Sequence, residues 1–269
     1  HKRIRLNAAA LAGLLIILFF LIIAVFAPVI APYDPKEMIA SYLPPSREHL
    51  LGTNDVGQDI FSEMVYGTRV SLYIGIFAAF IVTDVGTVLA LVSGYFGGVT
   101  DKIITAITNI AMAVPSLPLT VLLVAYLNPG KWSLIIAISV TAWTGTARIL
   151  RSRVMQLKEL PFIKIEKTMG VHPVVILFKH ILPNIKDIIL TRGAMAISGA
   201  MMTEAGLSFL GLGEFGEKSW GSVLHYAFFR NSIMKKQYWW YVPPIICICV
   251  CVFGFMLIGY YGKIKKGGE

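Results

Sequence analysis

Six long apolar runs, each bounded by charge, glycine or proline, constrain this chain more than any other feature; they fall at 6–31, 71–95, 102–127, 132–149, 187–212 and 238–261. About 20 apolar residues in a helix cross the roughly 30 Å hydrocarbon core of a bilayer. In lipid every backbone N–H and C=O must be satisfied inside the segment, so such runs read as α-helices. The sequence therefore predicts an all-α polytopic membrane protein with six transmembrane helices. Composition agrees, with 56% of residues hydrophobic and only 14% charged, against about 25% charged in soluble domains.

The cations set the orientation. The net charge of +9 sits at the ends of the apolar runs, in a basic tip at 1–5, in Arg148, Arg151 and Arg153, and in Lys263, Lys265 and Lys266. Juxtamembrane cations mark the cytoplasmic side, which places both termini there. No basic groove interleaved with aromatics is present, so nucleic acid is excluded as a partner. Four parts follow: a cytoplasmic start with the first helix (1–32), an extracytoplasmic loop ending in a short interfacial helix (33–70), a five-helix core (71–262) and a tail (263–269). Arg230, Lys235 and Lys236 are an exception on the outer side. The three cysteines, Cys247, Cys249 and Cys251, stand two apart on a helix and cannot converge on one metal, so no metal site is expected.

Within the core, the loop at 154–185 holds a densely polar stretch, LPFIKIEKTMGVHPVVILFKHILP from 160 to 183. Apolar residues mixed with Lys164, Glu166 and Lys167, and interrupted by Gly170 and Pro173, predict two short amphipathic helices joined by a turn. Such helices lie on headgroups or dock into a groove of a partner. Pro115 and Pro118 fall in the third run, where each removes a backbone donor and kinks the helix, which suits it either to line a translocation pathway or simply to pack. Ionisable residues at membrane depth are functional candidates because each is costly unless paired or wetted. Asp84, Arg192 and Glu204 are those residues, and Asp84 and Arg192 are expected to face a pathway or each other; for Glu204, pinning a helix end is the alternative. His49, His172, His180 and His225 fall in loops, which argues against an intramembrane enzyme, and a passive channel is the other rival. No G-x-x-x-x-G-K-[ST] occurs, so the chain has no ATPase site of this kind.

Several stretches carry a family resemblance: LGTNDVGQDIFSEMVYGTRVSL before the second run, SGYFGGVTDK after it, AVPSLPL in the third, RILRSRV before the inner loop and TEAGLSFLGLGEFGEKSWG after the fifth. Together they resemble the permease subunits of binding-protein-dependent ABC importers, and among them the second permease of the dipeptide, oligopeptide and nickel group. The family's cytoplasmic motif is Glu-Ala-Ala, three residues, Gly, nine residues, Ile, one residue, Leu-Pro. Gly170, Leu182 and Pro183 fit its spacing, whereas its first three positions read Lys164, Ile165 and Glu166 and its isoleucine position reads His180. Two further positions that are usually arginine in the family read Gln58 and Glu63.

The resemblance implies a type I ABC importer permease in the inner or plasma membrane of a prokaryote. The helix around Lys164 to His172, including Met169 and Val171, would be the coupling helix. It implies as partners a second, homologous permease, two ABC ATPases that bind ATP and magnesium, an extracytoplasmic solute-binding protein and the bilayer; no cofactor is implied in this chain itself. Di- or oligopeptides are the first expectation for the substrate, with nickel, a metal chelate or an oligosaccharide as alternatives.

Overall fold

The computed structural model describes residues 7–214 and 216–262; the basic tip at 1–5 and the lysine-bearing tail at 263–269 lie outside the described residues. Among the described residues eleven α-helices form: α1 Ala8–Val25, α2 Ala27–Ile30, α3 Ile60–Phe96, α4 Gly98–Ala113, α5 Ser116–Leu127, α6 Lys131–Lys158, α7 Pro161–Thr168, α8 Pro173–Ile176, α9 Leu182–Leu207, α10 Trp220–Phe229 and α11 Tyr238–Tyr261. Two π-helical turns, Leu177–Ile181 and Ser208–Leu212, bracket α9. No strand forms among the described residues; Thr53 and Asp59 make one isolated β-bridge.

Four helices are long and apolar enough to cross a membrane, namely α1, α3, α6 and α11, and the pair α4 and α5 counts as a fifth. That pair corrects the expectation of one kinked span. The chain bends by 87° between α4 and α5, because Pro115 stands in extended backbone before α5. Pro118 falls in the first turn of α5, where a missing N–H costs nothing. The segment at 187–212 is displaced as well, since α9 begins at Leu182. It carries Lys186, Asp187, Arg192 and Glu204 and so misses the apolar threshold that the other spans meet. The separate interfacial helix expected before the second run is instead the first turns of α3. At 37 residues and about 1.5 Å per residue, α3 is about 55 Å long, far longer than the hydrocarbon core, so its first ten residues project beyond it.

Close glycine contacts give the packing register. A Cβ on Gly86 would meet Thr146 Cβ at 2.8 Å, one on Gly94 would meet Val154 Cβ at 2.8 Å, and Ser139 Oγ donates to Ala78 O at 3.4 Å. The offset between the two helices stays constant, so α3 and α6 run parallel. Against α9 the numbering is reversed: a Cβ on Gly75 would run into Met201 Cγ, and one on Gly193 would lie 3.8 Å from Thr83 Oγ1. So α9 runs antiparallel along α3, and by the same test α1 runs antiparallel to α11 through Gly13 and Gly254. Small residues let helix backbones approach in lipid, where no hydrophobic force drives them together. Gly86→Leu is expected to wedge α3 from α6 and to cost about 3 kcal/mol. A lowered thermal midpoint in detergent checks this against Gly199→Ala, whose Cβ meets nothing within 4 Å.

Three apolar clusters hold the bundle. One joins α1, the start of α3, α10 and α11 around the fully buried Trp220 and Trp240. Trp220 Nε1 donates to Met64 O at 3.1 Å. A second lies between α3, α5 and α6, with Ile74, Leu134 and Ile138. The third binds the far ends of α3 and α6, at Tyr95 and Val154, to Ile163 of α7 and to Ile176 and Ile181. At that same end Arg151 donates to both oxygens of Asp101, at 2.5 and 2.6 Å.

Candidate functional site

The loop at 160–183 is fixed to the bundle on one face. Pro161 opens α7 at a position that needs no N–H, and within α7 Ile163 is the buried residue. It packs into the third cluster, against the ends of α3 and α6. The other face is open: Phe162, Ile165 and Met169 are exposed, as are Val174, Val175 and Phe178 beyond the turn. Lys164 and Lys167 flank them, and Lys164 pairs with Glu159 at 2.9 Å. A solvent-facing group of large apolar side chains rimmed by cations marks an interaction surface.

The turn is closed by backbone bonds from Gly170 N to Lys167 O at 3.1 Å and from Val171 N to Glu166 O at 3.1 Å. Gly170 has φ +78°, and nothing lies within 4 Å of where its Cβ would be. Glycine is thus favoured there by conformation, not by crowding within the chain. His172 Nδ1 accepts from Val174 N at 3.3 Å to cap α8. Leu182 and Pro183 open α9, where the proline again needs no donor.

Two of the four departures from the family motif, Glu166 and His180, meet each other. His180 Nε2 lies 2.8 Å from Glu166 Oε1, with both side chains about one quarter exposed, and the Phe162 ring stands edge-on to the imidazole. His180 belongs to the π-helical turn Leu177–Ile181.

The membrane-depth candidates do not assemble into one site. Asp84 is exposed and has no ion pair among the described residues, and Arg192 is half-buried with its Nε lacking an acceptor. The expected Asp84–Arg192 pair is not made. Thr83 is the residue that faces Gly193 of α9, and the next position on a helix lies about 100° further round. Arg192 Nη1 instead points to Met195 Sδ at 3.8 Å. Glu204 is buried, 1% exposed, and accepts from Ser208 Oγ at 2.7 Å. Ser71 and Ser219 also reach it, so it ties α9 to α3 and to the approach to α10. Pro115 and Pro118 are exposed at the bend.

Sequence reasoning missed a second feature, a cleft of about 1410 Å³ at the opposite end of the bundle, lined by the starts of α3 and α6 and by the loops before α3 and α10. Glu63, in the first turn of α3, forms a buried ion pair with Lys218, and Lys218 Nζ also donates to Gln58 Oε1 at 2.7 Å. Asn54 Nδ2 adds a bond to Glu63 Oε1 at 2.9 Å. Gln58 and Glu63 are the positions that depart from the family's arginines, and the cation is supplied here by Lys218. Across the cleft, Lys131 pairs with Glu214 at 3.3 Å and with Glu217. Its ammonium, helped by Lys36 and Arg69, holds the Glu217 carboxyl below the usual carboxylate range. A depressed carboxylate stabilises the folded state above its ordinary value and loses that contribution only as pH falls through the lowered one, so this link is intact at neutral pH. Arg230 Nε meets Asp55 at 2.7 Å.

Comparison with known proteins gives this geometry its context. Residues 86–262 match the family described as binding-protein-dependent transport system inner membrane component, and residues 1–45 match the N-terminal TM domain of oligopeptide transport permease C. Over 262 residues the chain is 37% identical to the oligopeptide transport system permease protein OppC of Bacillus subtilis strain 168, covering 96% of this chain and 84% of that protein. It is 33% identical over 261 residues to the dipeptide transport system permease protein DppC of the same organism, covering 96% and 81%. In fold it is similar to a chain of the MetNI methionine ABC transporter solved in inward-facing conformations, with a TM-score of 0.60 and 17% identity over 74% of this chain and 94% of that one.

Proposed function

This chain belongs to the binding-protein-dependent transport system inner membrane components, and from that membership we propose that it forms half of the pathway of an ATP-driven importer of di- or oligopeptides. It is a multi-pass permease subunit of an ABC transporter. The peptide substrate rests on the names of the OppC and DppC relatives, which favour it over a nickel, metal-chelate or oligosaccharide substrate.

The observation that carries the coupling role is the exposed face of α7, held by Ile163 to the ends of α3 and α6. In this reading Lys164, Ile165, Glu166, Met169, Gly170, Val171 and His172 meet one of two ATPase subunits, which bind ATP and magnesium. A push on α7 passes through the packed cluster to α3, α6 and the start of α9, and biases the bundle between two packed arrangements. A homologous permease completes the pathway, and a solute-binding protein delivers the peptide on the far side. Both termini lie in the cytoplasm. The pathway roles of Asp84, Arg192, Pro115 and Pro118 belong to the same reading; Glu204, sealed among hydroxyls, has a bracing role.

The test is co-purification of the chain with its genomic neighbours, followed by uptake of labelled trialanine into proteoliposomes carrying ATP on the ATPase side. Two ATPases and a second permease are expected to co-purify, and uptake is expected to need both ATP and the binding protein. Uptake of labelled nickel without any of peptide would overturn the substrate, and a chain that purifies alone would overturn the coupling role.

A further inference from the structure

The outer cleft is lined by five carboxylates and five cations, so it is densely charged yet carries no net charge. Seven of these groups are engaged in the ion pairs of Glu63, Lys131 and Asp55 described above. Lys36, Arg69 and Asp34 are left without an ion pair among the described residues, although Asp34 Oδ1 accepts from the backbone N–H of Lys36 at 2.8 Å. One buried acceptor also remains unmet: Glu63 Oε2, on a side chain only 1% exposed, has no hydrogen-bond donor. A buried acceptor left without a donor is costly. The cleft thus offers an unmet acceptor for an ammonium and open donors for a carboxylate.

These groups are spaced along one helix. Glu63 and Arg69 lie about 9 Å apart along the axis of α3, at about 1.5 Å per residue, which is roughly the length of an extended tripeptide at about 3.3 Å per residue. Tyr66 stands midway between them, and Tyr73, Trp132 and Tyr226 add aromatic wall. Flat aromatic faces take side chains of varied size without requiring a particular partner.

We infer that, given the peptide reading above, the cleft is a receiving site that holds a short free peptide by its two ends. The ammonium end lies toward Glu63, and the carboxylate end toward Arg69 and Lys36, with the side chains against the aromatic wall. Such a site recognises what all short peptides share, a zwitterion of limited length, and disregards their sequence.

The experiment uses the assembled importer in nanodiscs without its solute-binding protein, and measures binding of trialanine and of N-acetyl-trialanine amide by NMR titration. Trialanine is expected to bind at least about tenfold more tightly than the doubly capped peptide, as charge-assisted hydrogen bonds to both ends require. Arg69→Gln, at an exposed side chain, is expected to remove about tenfold of trialanine binding and to leave the capped peptide unchanged; co-purification of the ATPases reports that the variant complex is whole. Equal binding of the two peptides, or wild-type binding by Arg69→Gln, overturns the inference. Uptake of trialanine by the complete importer with its binding protein is measured alongside. Uptake without end-dependent binding removes the receiving site and leaves the importer standing, whereas end-dependent binding without uptake upholds the site and removes the import reading. Absence of both removes both.

Discussion

Gly170→Asp is expected to leave the permease folded and to cut ATP-driven uptake by at least about a hundredfold, equivalent to about 2.8 kcal/mol of lost coupling at about 1.4 kcal/mol per tenfold. The two halves of this expectation have separate causes. Gly170 holds φ +78° with open space around its Cβ, and aspartate is among the residues that visit this region most readily, so the permease itself loses little. The new carboxylate, however, follows directly on Met169, at the end of a helix that also exposes Phe162 and Ile165. Docking of an ATPase over that surface would strip water from a charge with no partner, which is strongly unfavourable. Gly170→Asn separates shape from charge, because it tolerates the same backbone and carries no ion. It should retain most uptake and most bound ATPase in a pull-down. If Gly170→Asp keeps its ATPases and its uptake, α7 is not the contact.

Lys218→Met should be the most damaging single change at the outer end, at about 3–5 kcal/mol. It leaves the Glu63 carboxylate, 1% exposed, with Asn54 as its remaining donor and no cation. The double variant Glu63→Met, Lys218→Met removes both charges and should regain most of the loss, since replacing a whole buried ion pair by apolar groups is often neutral. Thermal midpoints of the wild type, the two single variants and the double variant close the cycle. A double variant no better than Lys218→Met alone would show that the pair is not the unit that matters.

Much of the helical frame was legible because lipid allows a spanning segment so few alternatives. Apolar run length locates α1, α3, α6 and α11, and Gly170 with Pro173 locates the turn between α7 and α8, since one residue accepts left-handed backbone and the other cannot continue a helix. The break ahead of α5 was half legible. Pro115 announces a disturbance, but whether a helix kinks or breaks depends on which neighbours take up the freed carbonyls. The reach of α3 was concealed because its first turns are polar and resemble a loop in composition. The pairing of charges was not legible at all. Lys218 and Glu63 are 155 residues apart, and Asp84 is separated from the α9 contact by a single helical step past Thr83. Run length and local pattern carry no information on which distant residues meet, or on helix phase to within one residue.

The contact between His180 and Glu166 bears on how the inner loop can be inherited. Restoring isoleucine at 180 alone would strand a carboxylate that is about three quarters covered and whose Oε2 already lacks a donor. Restoring alanine at 166 alone would strand the imidazole. Each reversion has to pass through a weakened intermediate, so the two positions travel together. A chimaera that borrows this loop from a relative, or lends it to one, keeps its footing when it exchanges 160–183 as a block and loses it when the exchange boundary falls between the two residues.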